Sequence, residues 1–331
     1  MAELKTKYMG LELRSPIIAA SCGLTSEVNK MVEMEKAGVG AVVLKSIFEE
    51  QINQETSGVF NAGYGMSDAY PEAEDYIKAY IRSNTIQKYV ELVREAKSRL
   101  SIPVIASVNC FSGGEWISFA RQLQDAGADA LELNVFILPV NEFTESVEVE
   151  NVYFEIMKSI KEQVKIPVAV KISHYFTNLS AFVDKMKAYG ANATTIFNRF
   201  YEPDININTL TMGAAPVFST ASELRSTLRW TGILAGKDKK LEISASTGVH
   251  SGEAVVKLLL AGATTVQLCS VLYEKGIPVI EEMNSFIKTW MENKAFERIE
   301  DFRGMLSYSS IENPDLYERA QFMKYFSNKS L

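Results

Sequence analysis

The chain is poor in the residues that carry most metal and thiol chemistry. It has two histidines and three cysteines in 331 residues. Cys22, Cys110 and Cys269 are odd in number and scattered, which excludes a disulfide framework and leaves no cluster for an iron–sulfur centre. This usage fits a reducing compartment. No apolar run reaches bilayer-spanning length and the N-terminus lacks a signal pattern, so the chain reads as cytoplasmic, with no membrane partner. Positive charge is outnumbered, with 34 Lys and Arg against 41 Asp and Glu. The net charge of −7 gives no electrostatic reason to expect nucleic acid. No Gly-x-Gly-x-x-Gly dinucleotide fingerprint occurs in a strand–turn–helix context.

What is present is a globular composition, 47% apolar and 23% charged, with a core-forming length. One unit recurs: helix, glycine, short apolar strand, polar residue. Gly38 leads to Lys45, Gly127 to Asn134, Gly190 to Asn198, and Gly262 to Cys269 and Ser270. Further strands lie at Ile17–Ala20, 102–109, 166–172 and 241–245. Helices are expected from an N-cap at Ser26 to Ala37, then over about 85–100, 113–126, 152–164, 179–189, 221–234, 250–260 and 272–292. Eight strands alternating with eight helices predict a single α/β domain, a (β/α)8 TIM barrel; a doubly wound sheet is the competing arrangement. Residues 4–14 read as an N-terminal hairpin, a lid over the barrel's N-terminal end. Residues 47–82, 135–149 and 199–219 read as excursions at the C-terminal mouth, and 295–331 as a helical tail.

In such barrels the site lies on the loops after the strands. Ser246, Thr247, Gly248, Cys269 and Ser270 follow the last two strands and suit a phosphate, though each segment alone equally caps a helix. Lys45 and Lys171 at strand ends would form a cationic floor that stabilises a reduced flavin. Asn134 and Asn198 offer donor and acceptor to a planar ring edge. A phosphate-binding lyase or isomerase without flavin fits the spacing but leaves the lysines and asparagines unexplained together.

Ser15-Pro16, Val43-Leu44-Lys45-Ser46, Glu132-Leu133-Asn134, Val170-Lys171-Ile172, Phe197-Asn198, Ser246-Thr247-Gly248 and Val266-Gln267-Leu268, as an ordered set, resemble the dihydroorotate dehydrogenase family. The resemblance implies an FMN-dependent oxidoreductase that converts dihydroorotate to orotate in pyrimidine biosynthesis. It implies FMN contacts at Ser21, Lys45, Ser46, Asn109, Asn134, Lys171, Asn198, Ser246, Thr247, Gly248, Cys269 and Ser270. Substrate contacts would fall at Lys45, Asn134 and Asn198. It also implies the soluble class, whose members are usually homodimers. The chain departs from the family where the family keeps a Cys or Ser base. The stretch Asn134-Val135-Phe136-Ile137-Leu138-Pro139-Val140-Asn141 puts Ile137 or Leu138 there, and neither accepts a proton. The family's substrate loop is replaced by Asn61-Ala62-Gly63-Tyr64-Gly65-Met66-Ser67-Asp68, and Arg199 stands where the family has Ser or Thr. Replacement bases are His174 and Cys110, then Cys22, Tyr64 and Tyr175. Arg199 either meets a substrate carboxylate or holds its loop through Glu202 or Asp204. A non-catalytic flavoprotein is the alternative from another class. The electron acceptor is not legible.

Overall fold

A computed structural model of the chain describes residues 2–48, 71–109, 113–200 and 202–318, with backbone alone for 48, 71–83 and 113–118. Eight parallel strands close into a ring: β1 (Ile17–Ala19), β2 (Ala41–Val43), β3 (Val104–Asn109), β4 (Ala130–Asn134), β5 (Val168–Ile172), β6 (Ala193–Ile196), β7 (Glu242–Ser246) and β8 (Thr265–Leu268). Each pairs with its sequence neighbour. Gln267 lies opposite Ile18, and so β8 joins β1 and the ring closes. Outside it run α1 (Val28–Lys36), α2 (Pro71–Arg99), α3 (Gly113–Asp125), α4 (Ser146–Gln163), α5 (Leu179–Ala188), α6 (Leu224–Lys237), α7 (Gly252–Ala261), α8 (Ser270–Lys275) and α9 (Val279–Asn293). The barrel is the expected (β/α)8 fold.

Two local devices start the strands. Gly38, Gly127, Gly190 and Gly262 all take the left-handed conformation, at φ +96°, +100°, +102° and +119°. Each ends a helix where an L side chain would be strained, and β2, β4, β6 and β8 follow directly. Before β1, β3 and β5 stand Pro16, Pro103 and Pro167. Proline has no N–H to give a ladder, so it suits a strand entrance. Its carbonyl is still used: Val266, Val42 and Leu131 donate backbone N–H to the three proline oxygens at 2.8, 3.1 and 3.0 Å.

Several helix limits differ from expectation. Ser26 is no N-cap; its hydroxyl donates to the Gly23 carbonyl inside a short 3-10 turn, Gly23–Ser26, that precedes α1. The expected helix over 272–292 is split into α8 and α9, because Gly276 turns left-handed at φ +79° and Pro278 cannot continue a helix. The 85–100 helix begins instead at Pro71, a favourable residue for a first turn. α7 begins at Gly252 rather than at His250, and Ser251 caps it by accepting from the Ala254 N–H at 3.2 Å. The remainder of the 47–82 excursion lies outside the described residues. The 199–219 excursion contains a hairpin, Pro203–Asn206 with Thr211–Ala214. Among the described residues, no helix is long and apolar enough to cross a membrane.

The N-terminal hairpin, Thr6–Tyr8 with Leu11–Leu13, closes the bottom of the barrel as expected. Its two turn residues, Met9 and Gly10, both have positive φ, the tight turn that matches strand twist. Tyr8, Met9 and Leu13 enter the lumen against Ile18, Ala41, Val43, Ile105, Ala130, Ala169 and Ala193. The four alanines make room for the tyrosine ring. Its hydroxyl is buried without a hydrogen-bond partner, and burial, aided by the Glu132 charge, keeps it from ionising by raising its pKa. Tyr8→Phe should therefore change stability by no more than about 1 kcal/mol. Tyr8→Ala opens the plug and should cost about 3–5 kcal/mol, as for other large aromatic truncations. Urea unfolding of the two variants beside the parent checks both values.

Candidate active site

Strand alternation sends every second side chain into the lumen. Above the alanine layer these are polar: Ser107, Glu132, Lys171, Thr195, Ser244 and Gln267, all buried. Glu132 is 1% exposed and Lys171 7%, with Nζ 3.8 Å from Oε1. The other carboxylate oxygen accepts from Gln267 Nε2 at 2.6 Å and from the Thr195 hydroxyl at 2.9 Å. Lys171 in turn donates to Gln267 Oε1 at 3.4 Å. A charge taken out of water must be paired, and one carboxylate pairs this one. Lys171 lies one residue before the end of its strand, with the ammonium among these groups.

Three groups surround this pair. Toward β4 and β6, Asn198 Nδ2 donates to Asn134 Oδ1 at 2.8 Å. The amides stay together because Asn198 N–H is held by the Ile172 carbonyl at 2.8 Å. Toward β1–β3 runs a hydroxyl chain: Ser21 and Ser46 Oγ are 3.0 Å apart, Ser46 and Ser107 Oγ 2.6 Å. At the end of β3, Asn109 Oδ1 is buried with no partner. Toward β7 and β8, Thr247 and Gly248 both have positive φ. The Gly248 N–H points at Ser219 Oγ, 3.4 Å away, and Ser219 Oγ donates to Ser270 Oγ at 3.1 Å. A Cβ on Gly248 would lie 2.2 Å from Leu224 N, so only glycine fits. His250 Nε2 lies 3.2 Å from Ser219 Oγ, and its Nδ1 3.1 Å from Glu274 Oε2.

A family model described as dihydroorotate dehydrogenase matches residues 3–291. The chain belongs to the dihydroorotate dehydrogenase family. It is 28% identical, over 92% of its length and 99% of the relative's, to the dihydroorotate dehydrogenase B (NAD(+)) catalytic subunit of Thermoplasma acidophilum. Identity is 27% to the same-named subunit of Thermoplasma volcanium, over 92% of this chain and 99% of that one. It is 25% to that of Pyrococcus furiosus, over 91% and 98%.

Most residues on which the family resemblance rests converge at the mouth, but two do not join the Lys171 group. Lys45 is half-buried and lines a cleft with Ser26, Ile47, Thr85, Lys88, Tyr89 and Leu92. β2 ends at Val43, two residues before Lys45, and Ser46 bonds Ser107 at 2.6 Å. Arg199 is engaged by neither Asp204 nor an open pocket. Its Nε donates to Glu223 Oε2 at 2.9 Å and its Nη1 to the Val217 carbonyl at 2.8 Å, with Glu202 looser at 3.9 Å. That ion pair explains why an arginine stands there: it ties the 199–219 excursion to the start of α6. His174 is exposed at the mouth, its ring 4.2 Å from Tyr175 and 5.8 Å from Phe197. Ile137 is half-buried and Leu138 exposed. Beside them Phe136 meets Phe200 edge-on at 4.1 Å, and Phe200 stacks on Tyr175 at 5.3 Å. Cys110 and Tyr64 lie outside the described residues. Sequence reasoning missed Ser219, Glu274 and the role of His250, which meet only through long-range folding, and the counter-ion Glu132, whose place inside an apolar strand was the available signal.

Removing one partner of a buried ion pair leaves the other uncompensated. Glu132→Ala should cost about 3–5 kcal/mol. The double variant Glu132→Met/Lys171→Met should lose less than the two single variants summed. Chemical denaturation of the four-member cycle measures this coupling.

Proposed function

We propose that this chain is the catalytic barrel of an FMN-dependent oxidoreductase acting on dihydroorotate. The observation that carries the reading is the lumen-facing Lys171 ammonium, flanked by the Asn134–Asn198 amide pair, opposite the Gly248–Ser219–Ser270 group. The residues fit FMN. Gly248 N–H and the Ser219 and Ser270 hydroxyls offer donors to a phosphate. The orphaned Asn109 Oδ1 awaits an N–H donor, as a flavin or substrate ring supplies. Bound FMN would supply the hydride acceptor. The chain's own residues would do the rest: Lys171 favours negative charge on the ring it faces, and Asn134 and Asn198 orient a planar, amide-bearing substrate. With Ile137 and Leu138 unable to take a proton, His174 is the proton acceptor. An imidazole suits this near neutral pH.

The aromatic group Phe136–Phe200–Tyr175 at the base loop favours a second reading, a related planar substrate in place of dihydroorotate. A homodimer is also part of the proposal. The hairpin pair Ile205 and Met212 are 60% and 69% exposed and lie opposite each other in register, a surface suited to self-association. Relatives carry the name NAD(+) catalytic subunit; this chain carries no dinucleotide fingerprint, and electrons would leave to an acceptor held by a second protein.

FMN titration followed by quenching of flavin fluorescence tests the cofactor. The parent should bind, and Lys171→Ala should weaken affinity about tenfold, the loss of one charge-assisted contact; equal affinity would remove Lys171 from the flavin site. His174→Ala should lower the rate of flavin reduction by dihydroorotate about 10²–10⁴-fold with FMN affinity unchanged; an unchanged rate would exclude His174 as the base. Light scattering should report a dimer that Ile205→Glu/Met212→Glu converts to monomer.

A further inference from the structure

His250 stands beside the mouth, just before α7, and the proposed reaction does not use it. Its side chain is 14% exposed and lies between side chains from two other segments. Nε2 is 3.2 Å from Ser219 Oγ, in the excursion after β6, and Nδ1 is 3.1 Å from Glu274 Oε2, on α8. Both ring nitrogens therefore have a partner. The backbone is held as well, since Lys275 Nζ donates to the His250 carbonyl at 3.1 Å. Carboxylates on the flanking helices are engaged elsewhere. Glu223, just before α6, accepts from Arg199 Nε at 2.9 Å and from the Thr220 N–H at 2.6 Å. Glu253 of α7 pairs with Lys257 at 2.6 Å. Glu274 is the carboxylate that faces the ring.

The proton count of this group has two solutions. Ser219 has one hydroxyl proton, donated to Ser270 Oγ at 3.1 Å, while the Gly248 N–H points at Ser219 Oγ from 3.4 Å. Ser270 Oγ also accepts the Ser219 backbone N–H at 2.9 Å. With a proton on each ring nitrogen, Nδ1–H goes to Glu274, Nε2–H goes to Ser219 Oγ, and the Ser219 proton stays on the Ser270 side. With the ring neutral, the carboxylate keeps the remaining proton on Nδ1. Nε2 is then an acceptor, and the Ser219 proton turns back to it. One proton on His250 thus sets both the charge beside Ser219 and the direction in which Ser219 donates.

We propose that His250 and Glu274 are a proton-controlled positioning pair behind the Gly248–Ser219–Ser270 group. That group takes a tetrahedral dianion of the phosphate-monoester type while the ring is charged, and holds it less tightly once the ring is neutral. The identity of the ligand rests on reading the group as the phosphate site of FMN; the proton switch does not. His250 acts through Ser219.

Sulfate is the first probe, because it keeps both charges across the range in which a phosphate ester gains its second. Calorimetric titration of the full chain should show sulfate binding that weakens about tenfold between about pH 6 and pH 8.5, the loss of one charge-assisted contact. His250→Gln should bind sulfate weakly throughout, with no such pH dependence. Glu274→Gln keeps the ring but removes its counter-charge, and should move the pH at which binding is half lost to a lower value. Over the same range FMN should lose its advantage over riboflavin, which has no phosphate, in the parent but not in His250→Gln. No sulfate binding at the acid end, or the same pH dependence in parent and His250→Gln, would overturn the proposal. Sulfate binding that follows His250 in a chain that takes up neither flavin would uphold it and overturn the FMN reading instead.

Discussion

Much of this barrel depends on one requirement: an ammonium placed in the lumen must be paired. Lys171, one residue before the end of β5, points inward above the alanine layer and the tyrosine plug. Glu132, on the neighbouring strand β4, supplies the counter-charge at 3.8 Å. Gln267 and Thr195 donate to its Oε2, while Oε1, the oxygen facing the ammonium, accepts no hydrogen bond from the described residues. Four strands are thereby tied by side chains as well as by ladder bonds, and the network fixes the lysine's height. A lysine on a flexible loop would search many positions. This one is held by groups that also form the sheet, the kind of preorganisation that electrostatic catalysis requires.

The remaining polar groups are arranged around that charge. The amide pair of Asn134 and Asn198 stands on one side. The Ser21–Ser46–Ser107 hydroxyls stand on another, and the Gly248–Ser219–Ser270 group on a third. The bottom is closed by Tyr8, Met9 and Leu13, so chemistry is confined to the C-terminal mouth. Arg199, by contrast, serves architecture. Its bonds to Glu223 and Val217 anchor the excursion after β6.

The barrel was legible because its signals are local. A left-handed glycine three residues before β2, β4, β6 and β8, and a proline before β1, β3 and β5, mark the strands in the sequence itself. The place of Lys171 near a strand end was legible from the apolar run Val168–Val170 before it. Lys45 lies outside its strand, because β2 ends two residues earlier, and Ser46 bonds Ser107. Ser219, His250 and Glu274 carry no local signal; they meet across excursions whose path no periodicity encodes. The break between α8 and α9 was readable from Gly276 and Pro278 but was overridden by the apolar spacing on either side.

The most direct test of the central claim is the visible absorption spectrum of the purified protein, before and after anaerobic addition of dihydroorotate. The account predicts a flavin spectrum, present as purified or after soaking with FMN, that bleaches as the substrate is oxidised. A flavin spectrum that does not bleach would contradict dihydroorotate as the substrate. A protein that takes up no flavin would contradict the reading of the Lys171 site altogether.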